Sequence, residues 1–100
     1  MNYILVDGEP VIENDMIKWA KWFEDPANRQ LLCTEISADC YVSTVFLGID
    51  HSFLGTEEHI LYETMVFGGE NDGHQSRYHT DKEARIGHYD MVRICKANNK

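Results

Sequence analysis

Long apolar runs are missing from this chain, and so are basic residues over most of its length. No segment approaches the roughly 20 apolar residues that a membrane span requires, and the N-terminus has neither the basic nor the long apolar region of a signal peptide. Together these absences set the expectation of a cytosolic protein with no membrane partner. Only Lys18, Lys21 and Arg29 are basic in residues 1–76, against 14 acidic side chains, a balance of −11. Residues 77–100 carry 6 basic and 3 acidic side chains, a balance of +3, which gives −8 overall. The first part would repel a phosphate backbone, so direct nucleic-acid binding is not expected, whereas a basic protein surface would be attracted. Cysteine is scarce: Cys33, Cys40 and Cys95 are odd in number and at no metal-like spacing. In a reducing compartment they read as packed thiols, with a Cys33–Cys40 bridge across a hairpin as the oxidised alternative. There is no HExxH, no Gly-x-Ser-x-Gly and no phosphate-binding glycine loop. The expectation is accordingly of no bound metal or cofactor. No Pro/Ser linker, repeat or low-complexity tract divides the chain, so its 100 residues form one domain.

An apolar fraction of 43% is enough for a core. NYILV, Asp7-Gly8 and PVI read as two short strands around a tight turn, with Pro10 placing the second arm at an edge. Asn14 reads as a helix N-cap, and Met16, Trp19, Ala20 and Phe23 share one helical face. The helix stops before Pro26. Strands are predicted at Gln30–Ile36, Tyr41–Ile49 and Ile60–Phe67, with a short edge strand at Ser76–His79. GGENDG is turn chemistry. Thr80-Asp81-Lys82-Glu83 is a capping box. The helix it opens lines up Ala84, His88, Met91 and Cys95, with Val92 beside them. Gly87 inside that helix costs about 1 kcal/mol relative to Ala, which a close approach of backbone or ligand would explain. The fold class is α+β: a small, mainly antiparallel sheet packed against two helices, in the order ββ-α-βββ-α. The predicted core contains Trp19, Phe23, Val45, Leu47, Met65, Met91 and Val92. The central strands are apolar on both alternating faces, and two helices cover only one. The other needs the N-terminal segment or a partner chain, and a homodimer or higher assembly is the expectation.

Three features exceed what packing needs. Asp50-His51 ends one strand, Glu63 interrupts the next, and His88 lies in an apolar helical stripe. If Glu63 faces the core its carboxylate needs a partner, and His88 is the natural one. With Asp50 and His51 they would form a polar ligand cluster, or an acid/base or metal-assisted hydrolase using His51, Glu63 and His88. The plain alternative is a satisfied core histidine and a solvated glutamate. Arg77 and Tyr78, with Arg85 and the helix start at Thr80, form a second candidate, for an anion. Its plain alternative is Arg77 offsetting Glu70 or Asp72.

VSTVFLGIDH (42–51), YETMVFGG (62–69), RYHT (77–80) and EARIGH (83–88), with the opening YILVDGEPV and the Trp-containing helix, resemble a family of small uncharacterised proteins encoded by bacteriophages and prophages. The resemblance covers most of the chain. It implies a phage-type accessory protein acting in a bacterial cytoplasm, in a family with no established activity. With the small size, the acidic surface and the absence of a catalytic motif, the expected role is non-catalytic binding of a host component, as a counter-defence inhibitor or a protein that sequesters a nucleotide; a structural or virion accessory role is a further alternative. The loop SFLGTEEHI (52–60) departs from the family in being polar and charged rather than rich in Gly and Pro.

Overall fold

A computed structural model describes residues 1–52 and 58–98. Most of the charged loop SFLGTEEHI lies outside the described residues. The order is β1 (Tyr3–Val6), β2 (Glu9–Ile12), α1 (Met16–Phe23), β3 (Gln30–Ser37), β4 (Cys40–Phe46), β5 (Tyr62–Phe67), β6 (Gln75–Tyr78) and α2 (Asp81–Asn98), with a 3₁₀ turn at Pro26–Asn28 before β3. The fold is α+β in the expected order. β1 and β2 form a hairpin, and β3-β4-β5-β6 form an antiparallel meander.

α2 lies across the meander. Its buried residues are Ala84, His88, Met91, Val92 and Cys95, the predicted stripe. Thr80 caps the helix as expected, its hydroxyl accepting the Glu83 amide N–H at 3.1 Å, while the Glu83 carboxylate reaches back to the Thr80 hydroxyl, at 3.1 Å, instead of the backbone N–H of a full capping box. Gly87 lets the helix settle onto the ring of Tyr78, because a Cβ there would overlap that ring. Close backbone approach is therefore the reason for a helix-interior glycine.

Under α2 the strands contribute Cys40, Val42, Thr44 and Phe46 from β4, and Tyr62, Thr64 and Val66 from β5. These are the even-numbered positions. The predicted core members Val45, Leu47 and Met65 belong to the opposite parity and are only half-buried. Both faces of β4 and β5 are apolar enough to be core, so composition alone pointed to the wrong one. The inward positions include two threonines because His88 needs them.

The hairpin and α1 extend the same side of the sheet. Tyr3 joins Phe46, Leu61, Tyr62 and Ala84 in one buried cluster, flanked by Leu5, Trp22, Leu31 and Tyr78. α1 buries no residue completely. Met16 and Ala20 of its expected stripe are exposed, while Trp19, Trp22 and Phe23 are half-buried. The Trp19 indole N–H donates to the carbonyls of Tyr3 and Gly48, each at 3.1 Å. Trp22 meets Phe46 edge-on at 5.8 Å. The N-cap is Asp15 rather than Asn14, since Asp15 accepts from the amides of Ile17 and Lys18.

Cys40 and Cys95 are both buried in the second cluster, with Val42, Val66, Met91 and Val92. Burial, with the adjacent Cys40 sulfur, pushes the Cys95 thiol up. Cys33 is exposed and sits opposite Ser43. Cys33 and Cys40 therefore lie on different faces of the sheet, and the hairpin bridge between them is not supported.

Candidate functional site

Strand pairing sorts the candidate residues into separate places. Glu63 is at an odd position of β5, on the face away from α2, and its register partner on β6 is Arg77. The Arg77 Nε donates to Glu63 Oε2 at 3.0 Å, and the Gln75 side-chain amide donates to the same oxygen. Arg77 thus offsets Glu63, not Glu70 or Asp72. His88 is completely buried on the other side of the sheet. The expected Glu63–His88 pair does not form, because the alternation of a strand puts residue 63 and the helix on opposite faces.

His88 is instead held by threonines. Nδ1 lies 2.8 Å from the Thr44 hydroxyl and Nε2 lies 2.8 Å from the Thr34 hydroxyl. Thr44 in turn meets Thr64 at 2.5 Å. Thr44 and Thr64 are register partners on β4 and β5, and Thr34 comes from β3. One imidazole therefore ties three strands to α2. Burial lowers its pKa and keeps it neutral. Hydroxyls serve either imidazole nitrogen as donor or acceptor, so a neutral ring is fully satisfied here.

Asp50 has a third environment. Its Oδ1 accepts the amide N–H groups of Ser52 at 2.9 Å and Ile60 at 3.0 Å, and its Oδ2 lies 2.5 Å from His59 Nδ1. Burial alone would raise its pKa, but those two amides, the Ser52 hydroxyl and His59 outweigh it. They hold the carboxyl well below the usual range. The histidine that meets Asp50 is thus His59, not His51, which is exposed. The Asp50 bonds to Ser52 and Ile60 brace the two ends of the 52–60 loop. Nothing in a strand-by-strand reading of the sequence pairs residues 50 and 59 across that loop.

The second candidate is also dispersed. Tyr78 packs under α2 while Arg77 points the other way. Arg85 is bound to Asp81, at 2.6 Å from Nε and 3.4 Å from Nη2. The expected anion site is not assembled. No group of three His, Cys, Asp or Glu positioned for a metal occurs among the described residues.

What the structure assembles is the face away from α2. The register gives three rows: Glu35, Tyr41 and Phe67; Cys33, Ser43, Met65 and Gln75; then Gln30, Val45, Glu63 and Arg77. Tyr41 and Phe67 stack at 4.9 Å with their planes 17° apart. They remain 42% and 40% exposed, so neither ring is core. A cleft of about 360 Å³ beside them is lined by Cys33, Glu35, Ser37, Ala38 and Tyr41. The β3–β4 and β5–β6 turns meet at this end of the sheet, where Gly68, at φ +82°, lies so close to the Asp39 carbonyl that no Cβ would fit. Asp39, Glu70 and Asp72 come from those turns, and the Asp72 carboxylate accepts the Gly68 amide at 2.7 Å. An exposed aromatic centre is therefore bordered by carboxylates.

Comparison with protein-family models, with curated proteins and with solved structures finds no match to this chain. Among the described residues no helix is long and apolar enough to cross a membrane.

Proposed function

We propose that this protein is a non-catalytic binding protein of phage type. It acts stoichiometrically on a host protein in the bacterial cytoplasm, and counter-defence inhibition is the form of action that suits it. The observation that carries the reading is the exposed Tyr41–Phe67 stack on the sheet face away from α2. Aromatic side chains with a polar rim are the usual anchors of protein interfaces. The rim here is acidic, from Glu35, Asp39, Glu70 and Asp72, and residues 1–76 balance at −11. The occupant that fits is a protein presenting a basic surface, with Arg or Lys able to lie over the aromatic rings. A second copy of the chain would set the same carboxylates against each other.

The hydrolase alternative loses its support, since His51, Glu63 and His88 occupy three separate environments. Nucleotide sequestration through Arg77 and Tyr78 loses its support in the same way.

The test is affinity capture from host cytosol with the parent chain and with Tyr41→Ser/Phe67→Ser, followed by binding of the purified captured protein at increasing salt. The reading expects one basic-surfaced protein, bound by the parent, lost with the double variant and weakened by salt. A partner retained by the double variant would overturn the assignment of the face. Light scattering that shows a dimer of the parent and a monomer of the double variant would make a second copy the occupant instead.

A further inference from the structure

We propose that the open edge of β3, beside the Tyr41–Phe67 stack, takes an extended segment of the partner protein as an added strand, and that this segment alternates basic with apolar residues. The proposal rests on the reading of the Tyr41–Phe67 face as the binding face and names the form of the partner. β3 ends the four-stranded sheet and pairs only with β4. Among the described residues no backbone hydrogen bond reaches its other edge. Such an edge presents a row of unpaired N–H and C=O groups, which proteins commonly guard with Pro or Lys. β3 has neither, and its one charged residue is Glu35. Register shifts between Gln30 and Leu32 and between Glu35 and Ser37 bracket a regular stretch at residues 32–35. The edge therefore suits a short strand.

The side chains along that edge set the sequence pattern. Cys33, Glu35 and Ser37 of β3, with Ala38 and Tyr41, line the cleft of about 360 Å³. A strand laid beside β3 would place every second side chain next to Cys33 and Glu35, and the others next to Thr34 and Ile36. Thr34 and Ile36 are half-buried, and Ile36 packs against the core cluster of Val42 and Met91. Apolar neighbours suit that side.

On the cleft side Glu35 decides the charge. It is exposed and makes no hydrogen bond or ion pair among the described residues. By register it heads the row that runs through Tyr41 to Phe67. A basic residue on an added strand would continue this row, opposite a carboxylate and one strand from an aromatic ring. A second copy pairing β3 with β3 would bring another glutamate and no basic residue to the edge. A basic segment of a different protein is the occupant that complements it.

The experiment is amide NMR of the full chain titrated with the acetylated and amidated peptide TRVRT, with TEVET, and with two N-methylated forms of TRVRT, one methylated at its arginines and the other at its valine and threonines. TRVRT should shift the amides of residues 32–36 saturably, and TEVET should not. One N-methylated form should lose binding and the other keep it, because only alternate N–H groups of a strand face its neighbour. Glu35→Gln should bind TRVRT about two- to fivefold more weakly, and Glu35→Lys should prefer TEVET. Absence of a saturable shift at residues 32–36, equal binding of TRVRT and TEVET, or full binding by both N-methylated forms would each overturn the proposal. A captured partner lost with Tyr41→Ser/Phe67→Ser while TRVRT fails to bind would overturn the edge alone. A partner retained by that double variant while TRVRT binds at residues 32–36 would overturn the face alone.

Discussion

The two faces of the four-stranded sheet have nearly the same composition and opposite treatment. On the α2 face the positions of β4 and β5 are buried and their polar members are locked: Thr44 bonds one nitrogen of His88 and Thr64, while Thr34 of β3 takes the other nitrogen. On the other face Tyr41, Phe67 and Met65 are left partly open, and the polar residues Glu63, Gln75 and Arg77 bond laterally at the surface. The difference teaches that apolar content does not decide which face becomes core. A single buried histidine, with hydroxyls placed to satisfy it, marks the inside more reliably than a run of Val, Leu and Met.

Removing the histidine should have the largest effect. His88→Ala empties a fully buried volume and leaves hydroxyls of Thr34 and Thr44 unpaired, so it should cost about 2–5 kcal/mol in chemical denaturation. A loss below about 1 kcal/mol would mean that the threonine network is not what joins α2 to the sheet. Next comes Gly87→Ala, whose added methyl overlaps Tyr78. Overpacking of this kind should cost about 1–3 kcal/mol, and pairing it with Tyr78→Ala should recover part of that loss.

The pH response separates the faces in another way. The folded pKa of His88 is lowered by burial, so the unfolded chain takes up the proton first as pH falls. The His88 contribution to stability is therefore present above about pH 6.5 and declines below it. Melts of parent and His88→Gln should differ most near pH 7 to 8 and converge toward pH 5. Asp50 works in a lower window. Its depressed pKa stabilises the fold above about pH 4 and loses that effect as pH falls further. A gap between parent and His88→Gln that widens on acidification would contradict the neutral, threonine-bound imidazole.

On the open face the effects should be small. Glu63 and Arg77 form a partly solvated pair, so Glu63→Gln should change stability by less than about 1 kcal/mol. That is far below the loss expected for a carboxylate buried against His88. A double-mutant cycle with Arg77→Gln would measure the coupling directly.

The helices and strands were largely legible in the chain because their signals are local. The stripe from Ala84 to Cys95 and the cap at Thr80 needed only helical periodicity. The faces of β4 and β5 were not legible in the same way. Val45, Leu47 and Met65 are more hydrophobic than Thr44 and Thr64, and only the position of His88 on α2 reverses the choice. Glu63–Arg77 was within reach of a hairpin register across GGENDG, since Met65 then pairs with Gln75. Asp50–His59 was not, because it closes a loop with no periodicity to count. A cleft of about 490 Å³ that Gly8, Glu9, Tyr62, Asp81 and Lys82 help to line joins three distant segments, which only the folded chain brings together.

The labour is divided between the faces: the α2 face holds the fold, and the Tyr41–Phe67 face is the one proposed to bind a partner. The most direct test is Tyr41→Ser/Phe67→Ser, measured for melting temperature and for retention of the host partner captured by the parent. The account predicts a melting temperature within about 5 °C of the parent, equivalent to about 1 kcal/mol, with the partner lost. A collapse of the melting temperature with the partner still bound would contradict it.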